Sequence, residues 1–398
     1  MKRNIAIIIH ALRFGGAERC ASNLSFDLAE QYDINLIVFD GKDKTYPYSG
    51  MLYDLNIPTV SGPFRKCLMT LKRIIQVKKI KKKKNIACSI SLLTGANFVN
   101  AFSKSKDKTI VSIRNNLSFS RLSTIDSFLI RTACRKADFI VALSESVRQD
   151  MMKNYGVPPE KIETIYNSCN ERLKDLAGVT DNRFCLHGDF IVTMGRIVFQ
   201  KGQWHLIRAF SLVHKKYPDL KLVVLGNGED ELAKKVLALP EKLGIKDSVI
   251  FPGYITNPHQ IISKSKMFVF PSLYEGLGNV LLEALVCGKA VISTDCMSGP
   301  REILAPGTDL SITEKRQLKG ISEERYGVLI PAFDQVEDVD LVEVSENEKV
   351  LADAILDLYE NDAKRLEYER RTRERIQDFS PQKISSQWID LIERICHE

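Results

Sequence analysis

Met267-Phe268-Val269-Phe270-Pro271-Ser272-Leu273-Tyr274-Glu275-Gly276-Leu277-Gly278-Asn279-Val280-Leu281-Leu282-Glu283-Ala284 runs from an apolar strand through a Pro-Ser stop and a glycine-rich turn into a helix. Strand, loop and helix in that order are the repeating unit of a parallel sheet covered by helices. Gly276 and Gly278 leave backbone amides uncovered as the chain enters the helix. A helix N-terminus offers orphan N–H groups and the positive end of its dipole, so an anion is expected there. Glu275 precedes the helix and Glu283 lies about one turn inside it, which puts the two carboxylates about 10 Å apart along the helix direction. Taken singly, Glu283 reads equally as a solvent-facing helix residue and Gly278 as a packing glycine; the ordered array carries the weight.

The same alternation extends in both directions. Strands are expected at 5–9, 34–39, 87–91, 109–113, 139–142 and 162–165, and again at 190–194, 221–225, 249–251, 267–270, 290–293 and 327–330. A chain of 398 residues fits two domains of about 200 residues. Both are therefore doubly wound α/β units, spanning 1–168 and 187–379, with a cleft expected between them. The polar, aperiodic stretch 166–187 is read as the linker, and 306–325 as a loop insertion. Ser380-Pro381 supplies an N-cap and a first-turn proline for a C-terminal helix, 380–398, expected to cross back to the first domain.

Charge is unevenly shared. Residues 1–190 hold 30 Lys and Arg against 18 Asp and Glu, and the remainder 27 against 32, so the first half should face something anionic. The densest cationic run is 72–84, where Leu71, Ile74, Ile75 and Val77 recur at helical spacing. Two readings stay open: a helix on an anionic membrane surface, or the solvated face of a packed helix. Nucleic acid is not expected, because no aromatic residues interleave with the cations. The nine cysteines are scattered with no Cys-x-x-Cys pair, which favours a reducing compartment and no zinc site. Residues 5–12 follow two cations in the manner of a signal peptide, but His10 and Arg13 break the apolar stretch and no small-residue cleavage site follows. A buried first strand and a cytoplasmic protein are expected; no segment is long and apolar enough to span a membrane.

Further candidates sit where strands end. Arg196 and Lys201, in Met194-Gly195-Arg196-Ile197-Val198-Phe199-Gln200-Lys201-Gly202, lie at a carboxyl edge and match a diphosphate. Gly228, in Gly226-Asn227-Gly228-Glu229, reads either as part of a donor-binding loop or as only a tight turn, and the loop Phe251-Pro252-Gly253-Tyr254-Ile255 is placed with Gly253, Tyr254 and Ile255 flanking a base. Gly15 and Gly16, in Phe14-Gly15-Gly16-Ala17-Glu18-Arg19, permit close backbone approach to a ligand. The third glycine of the dinucleotide fingerprint is missing and no Gly-Lys-Ser/Thr follows any glycine loop, which disfavours a dehydrogenase and removes a P-loop kinase.

Gly15 to Arg19, Gly195-Arg196 with Lys201-Gly202, Gly226 to Glu229 and the Glu275 to Glu283 array together resemble the motifs of the retaining glycosyltransferases of family 4, which have the GT-B fold. The likeness covers nearly the whole chain in order. It implies α/β architecture with two Rossmann-like domains facing a central cleft, the first binding acceptor and the second a nucleotide-sugar donor. By that resemblance Arg196 and Lys201 bind the diphosphate, Glu275 contacts the donor sugar and Glu283 holds the ribose. Gly276, Leu277, Gly278 and Asn279 complete the donor site. One departure stands out: many relatives carry a histidine after the fourth strand of the first domain, where this chain has Ile113-Arg114-Asn115-Asn116. An arginine is no general base. Arg114, with Asn115 and Arg19, is assigned to acceptor or phosphate contact, with a surface or structural role for Arg114 left open.

Cleaving a sugar from a nucleotide diphosphate develops negative charge on phosphate, which Arg196, Lys201 and the amides of 277–279 would stabilise. No Asp-x-Asp is present and the six histidines do not cluster, so no metal and no cofactor are expected. The resemblance implies retention of configuration, with the departing phosphate able to take the acceptor proton. UDP is favoured over GDP, and a hexose or N-acetylhexosamine as the sugar. A glycan or lipid-linked acceptor in surface-polysaccharide assembly follows, which would put the protein at the inner membrane face. Two other readings are a GT-B sugar-nucleotide epimerase, which needs no acceptor, and a catalytically silent sugar-nucleotide-binding protein.

Overall fold

A computed structural model of the chain describes residues 2–13, 15–42, 45–119, 123–169 and 188–397. Two compact units emerge, Met1–Ser168 together with Pro381–Glu398, and Cys169–Ser380. Most of the expected linker, 170–187, lies outside the described residues.

The first unit is built from β1 (Arg3–Ile9), α1 (Gly16–Asp27), β2 (Tyr32–Val38), β3 (Met51–Asp54), α2 (Pro63–Lys83), β4 (Ile86–Leu92), α3 (Thr94–Phe102), β5 (Lys108–Ile113), α4 (Thr124–Lys136), β6 (Phe139–Ala142), α5 (Glu145–Tyr155) and β7 (Ile162–Thr164). These strands form one parallel sheet in the order β3-β2-β1-β4-β5-β6-β7. Ile5 to Ile9 of β1 are fully buried, as a strand covered by helices on both faces must be. Side-chain chemistry sets helix ends: Ser144 caps α5 by accepting from Val147 N, and Gly156 ends it in the left-handed region at φ 68°.

The second unit comprises β8 (Phe190–Met194), α6 (Gln203–Lys216), β9 (Lys221–Leu225), α7 (Glu231–Lys242), β10 (Val249–Gly253), α8 (His259–Lys264), β11 (Phe268–Phe270), α9 (Asn279–Val286), β12 (Val291–Thr294), α10 (Pro300–Leu304), α11 (Ser311–Glu314), β13 (Ser322–Glu324), β14 (Gly327–Ile330), α12 (Glu346–Glu360) and α13 (Asp362–Gln377). Its sheet runs β10-β9-β8-β11-β12-β14-β13, parallel except where β13 pairs antiparallel to β14. A last helix, α14 (Pro381–His397), belongs to the first unit, where Ile384, Trp388, Leu391, Ile392 and Ile395 enter the core beside β1 and β4.

Several sequence expectations need correction. β3 and β13 were not expected, because both are short edge strands with no fully buried residue to reveal them. The stretch 306–325 is not a plain loop but contains α11 and β13. Phe251 to Gly253 belong to β10 rather than to a loop. In 72–84 α2 packs on the core through Ile74, Val77 and Ile80 and also buries Lys81, while Leu71 and Ile75 face outward, 53% and 46% exposed. Lys81 is paired with Asp107 at 2.8 Å, both side chains fully buried. Among the described residues no helix is long and apolar enough to cross a membrane. None of the described cysteines is in a disulfide; Cys185 lies outside the described residues.

Candidate functional site

In the second unit β9 lies on one side of β8 and β11 on the other, so the chain changes direction across the sheet between β8 and β11. The carboxyl edge at such a switch is where open α/β sheets take ligands. The loops after β8 and β11 meet there: Leu273 N donates to Gln200 O at 2.8 Å, and a Cβ on Gly202, φ 57°, would come within 2.5 Å of Pro271 O. Likewise a Cβ on Gly226, φ 130°, would meet Gly195 O at 2.1 Å, so the turns after β8 and β9 fit only because that side chain is absent.

This packing brings Lys201 to Glu275. Lys201 Nζ donates to Glu275 Oε1 at 2.5 Å, and Gln200 Nε2 donates to Glu275 Oε2 at 3.3 Å and to Tyr274 O at 2.9 Å. The Lys201 ammonium also lies 5.4 Å from the Phe270 ring centroid. Glu275 is held from its backbone too, its N donating to Met297 O at 2.5 Å and its O accepting from Ser298 N at 3.0 Å. Its carboxylate is thereby fixed at the sheet edge while lone pairs remain for a ligand hydroxyl. Gly276 and Leu277 are buried in the turn, and Gly299, φ 98°, has no room for a Cβ, which would lie 2.1 Å from Leu277 O. Gly278, φ 88°, is the N-cap of α9 and has no side chain to cap the helix that begins at Asn279. That helix tip therefore retains amides for an anion.

Arg196 is exposed and makes no ion pair or side-chain hydrogen bond with another described residue. Glu283 is buried on α9, and its Oε2 accepts from His259 Nε2 at 2.7 Å in the tautomer that carries the proton there. His259, which the sequence reading missed, is 3% exposed and its Nδ1 is buried without a partner. Nothing in its spacing, 24 residues before Glu283, signals the contact. Tyr254 is 61% exposed just beyond β10, while a Cβ on Gly253 would meet Asn227 Oδ1 at 3.0 Å. Ile255 is half-buried in the same loop, and Gly228 packs against Ile197 O. Burial, with the Glu275 charge behind it, pushes the nearby Cys296 thiol up, so this cysteine is no nucleophile. Among the described residues no three His, Cys, Asp or Glu side chains are grouped to hold a metal ion.

The remaining candidates belong to the first unit. Gly15 is extended, φ 178°, ahead of α1, and a Cβ there would strike the Glu18 carboxylate; Gly16 opens the helix. Arg19 lies over the Tyr46 ring, 5.5 Å from its centroid. Asn115 is exposed. Arg114 is buried at 7% exposure, which excludes the surface role but not a structural one.

Comparison with known proteins agrees with both halves. Residues 14–172 match the family described as Glycosyltransferase Family 4, and residues 184–324 match Glycosyl transferases group 1. An uncharacterised glycosyltransferase of Methanocaldococcus jannaschii is 40% identical over 205 residues, which is 51% of this chain and about half, 49%, of that relative. The N-acetylgalactosamine-N,N'-diacetylbacillosaminyl-diphospho-undecaprenol 4-alpha-N-acetylgalactosaminyltransferase of Campylobacter jejuni is 26% identical over 396 residues, covering 96% of this chain and 97% of its own. The crystal structure of Anabaena HepE in complex with UDP superposes with a TM-score of 0.73 at 18% identity, over 99% of this chain and all of that one, 100%. With its two parallel-sheet α/β domains and its family matches, the chain belongs to the group 1 and family 4 glycosyltransferases of GT-B fold.

Proposed function

We propose that this glycosyltransferase moves a hexose or N-acetylhexosamine from a UDP-sugar to a glycan or lipid-linked acceptor in surface-polysaccharide assembly, with retention of configuration and without a metal ion. The observation that carries the reading is the Lys201–Glu275 pair at the carboxyl edge of the second sheet, beside the uncapped start of α9 and the exposed Arg196, which has no ion-pair partner among the described residues. Two cations and helix amides provide positive charge for a departing diphosphate. Glu275 offers an acceptor for sugar hydroxyls, and Glu283 one for a ribose. In a retaining transfer the acceptor oxygen attacks the face from which UDP leaves, its proton passing to the departing phosphate. The similarity to a relative named for a diphospho-undecaprenol substrate, and to one crystallised with UDP, supports the choice of acceptor and nucleotide.

Peripheral contact with the inner face of an anionic membrane belongs to the same proposal. Phe64, Leu68, Leu71 and Ile75 are exposed on successive turns of α2, with Lys72, Lys78, Lys79, Lys82 and Lys83 exposed beside them. Apolar side chains ringed by lysines suit the boundary between acyl chains and anionic headgroups.

Incubating the purified chain with UDP-sugars and undecaprenyl-diphosphate-linked sugars, with and without EDTA, tests the reaction. Release of UDP that depends on acceptor, survives EDTA and yields an α-linked product from an α-linked donor is expected. An isomerised UDP-sugar formed without acceptor, or a β-linked product, would refute it.

A further inference from the structure

Six Lys or Arg side chains are buried among the described residues, and five of them have a carboxylate partner. Lys81 meets Asp107 at 2.8 Å, Arg208 meets Glu348 at 2.6 Å, Arg301 meets Asp295 at 2.6 Å, Arg365 meets Asp362 at 2.6 Å and Arg375 meets Asp378 at 2.5 Å. Arg114 is the exception. Its Nη1 donates to Ser112 Oγ at 3.3 Å and its Nη2 to Asn167 Oδ1, both neutral oxygens, while Nε is buried with no acceptor. Burying a charge without a counter-charge is strongly unfavourable, and a guanidinium cannot escape by losing its proton.

The nearby acids do not supply the missing charge. Burial pushes the Cys20 thiol up, outweighing the downward pull of the adjacent Arg114, so the sulfur stays protonated. Asp27 bonds to Ser168, and Arg114 is not among the groups acting on its carboxyl. Arg114 immediately follows β5, and Asn167 lies just beyond β7, so both stand at the carboxyl edge of a parallel sheet, the edge at which such sheets bind ligands.

We infer that the counter-ion of Arg114 is a phosphoryl group of a bound substrate, received by residues of the first unit at this edge. That the anion is a phosphate rests on the proposed function; that an anion is wanted follows from the burial alone. Its source is either the donor diphosphate or the diphosphate of a lipid-linked acceptor. A bound phosphoryl oxygen would accept from Nε, and Asn115, exposed next to Arg114, offers a further donor.

Inorganic pyrophosphate is first titrated, by thermal shift, into the full chain carrying Arg196→Ala and Lys201→Ala, with and without Arg114→Met. Arg114→Met is expected to be at least as stable as its parent in anion-poor buffer and to lose most of the pyrophosphate-induced shift; Arg114→Gln, which keeps a polar side chain, should behave alike. In the otherwise native chain, Arg114→Met should then weaken either farnesyl diphosphate or UDP by about tenfold or more. Loss confined to farnesyl diphosphate assigns the site to the acceptor, and loss confined to UDP assigns it to the donor. Unchanged pyrophosphate shifts, together with a folded variant markedly less stable than its parent, would overturn the inference. Should no UDP-sugar be turned over while the Arg114-dependent shift persists, the proposed reaction fails and the anion site stands.

Discussion

Lys201 and Glu275 hold one another at 2.5 Å, whereas Arg196, on the same loop, stands exposed with no partner among the described residues. The difference separates catalysis from stability. Arg196→Ala should leave unfolding within about 0.5 kcal/mol of wild type, as surface substitutions do, yet lower kcat by about 100-fold through loss of charge stabilisation on the leaving phosphate. Lys201→Ala should show a similar kinetic loss and also destabilise the fold, since it strips the cation from a carboxylate only 7% exposed. Single-turnover kinetics beside urea unfolding distinguish the two; equal stability losses would contradict the geometry. Asp27 gives a pH signature. Burial raises its carboxyl from 3.8 to about 6 in the folded chain, so the folded state prefers it neutral. Below pH 4 the group is protonated folded or unfolded and exacts no penalty. As pH rises through 6 the folded chain loses up to about 3 kcal/mol from this group. Asp27→Asn should flatten that limb, read as urea midpoints between pH 4 and 7. At this scale the residue types and their order announced Glu275, Lys201 and Arg196. Their pairing did not show, because Lys201 and Glu275 lie 74 residues apart and meet only when two loops close on one sheet edge.

Among the elements, α6 and α12 are joined by a buried polar cluster rather than by apolar contact alone. Glu348 accepts from Arg208 Nε at 2.8 Å and Nη2 at 2.6 Å and is bound to His205 Nδ1 at 2.5 Å. Burial disfavours the ionised carboxylate, but the hydrogen bonds from His205 and Arg208 hold Glu348 below the usual carboxylate range. The same residue closes the capping box of α12 with Ser345. Glu348→Ala should therefore cost about 3–5 kcal/mol, by stranding a buried guanidinium, measurable as a lowered urea midpoint; a loss below about 1 kcal/mol would mean that Asp338 alone neutralises Arg208. Buried strands such as β1 and β9 were readable because both faces are covered and all but their first residues form an apolar run. β3 and β13 were not, since pairing on one side only leaves a short polar or half-exposed segment that resembles a loop. In the cationic run on α2 the sequence pattern did not show that Lys81 turns inward, where Asp107 pairs with it.

For the molecule as a whole, the last helix completes the first unit although the second unit precedes it in the chain. Trp388 of α14 is 2% exposed in that unit's core, and the other tryptophan, Trp204, is fully buried in the second. Trp388→Ala should cost about 3–5 kcal/mol, seen as loss of hydrogen-exchange protection in β1 and β4, while Trp204 fluorescence reports whether the second unit holds. Equal loss of protection in both units would show that the damage is not local. The sequence by itself determined the two α/β halves, the terminal helix and the glycine and acid array at Glu275, because hydrophobic period, turn chemistry and helix-start signals are local properties of the chain. Only the tertiary structure decided that His259 faces Glu283, that Lys201 is spent on Glu275 and that Arg114 is buried with no counter-charge among the described residues. Those are contacts between residues distant in sequence, and side-chain burial is fixed by what packs from other strands, which no local pattern records.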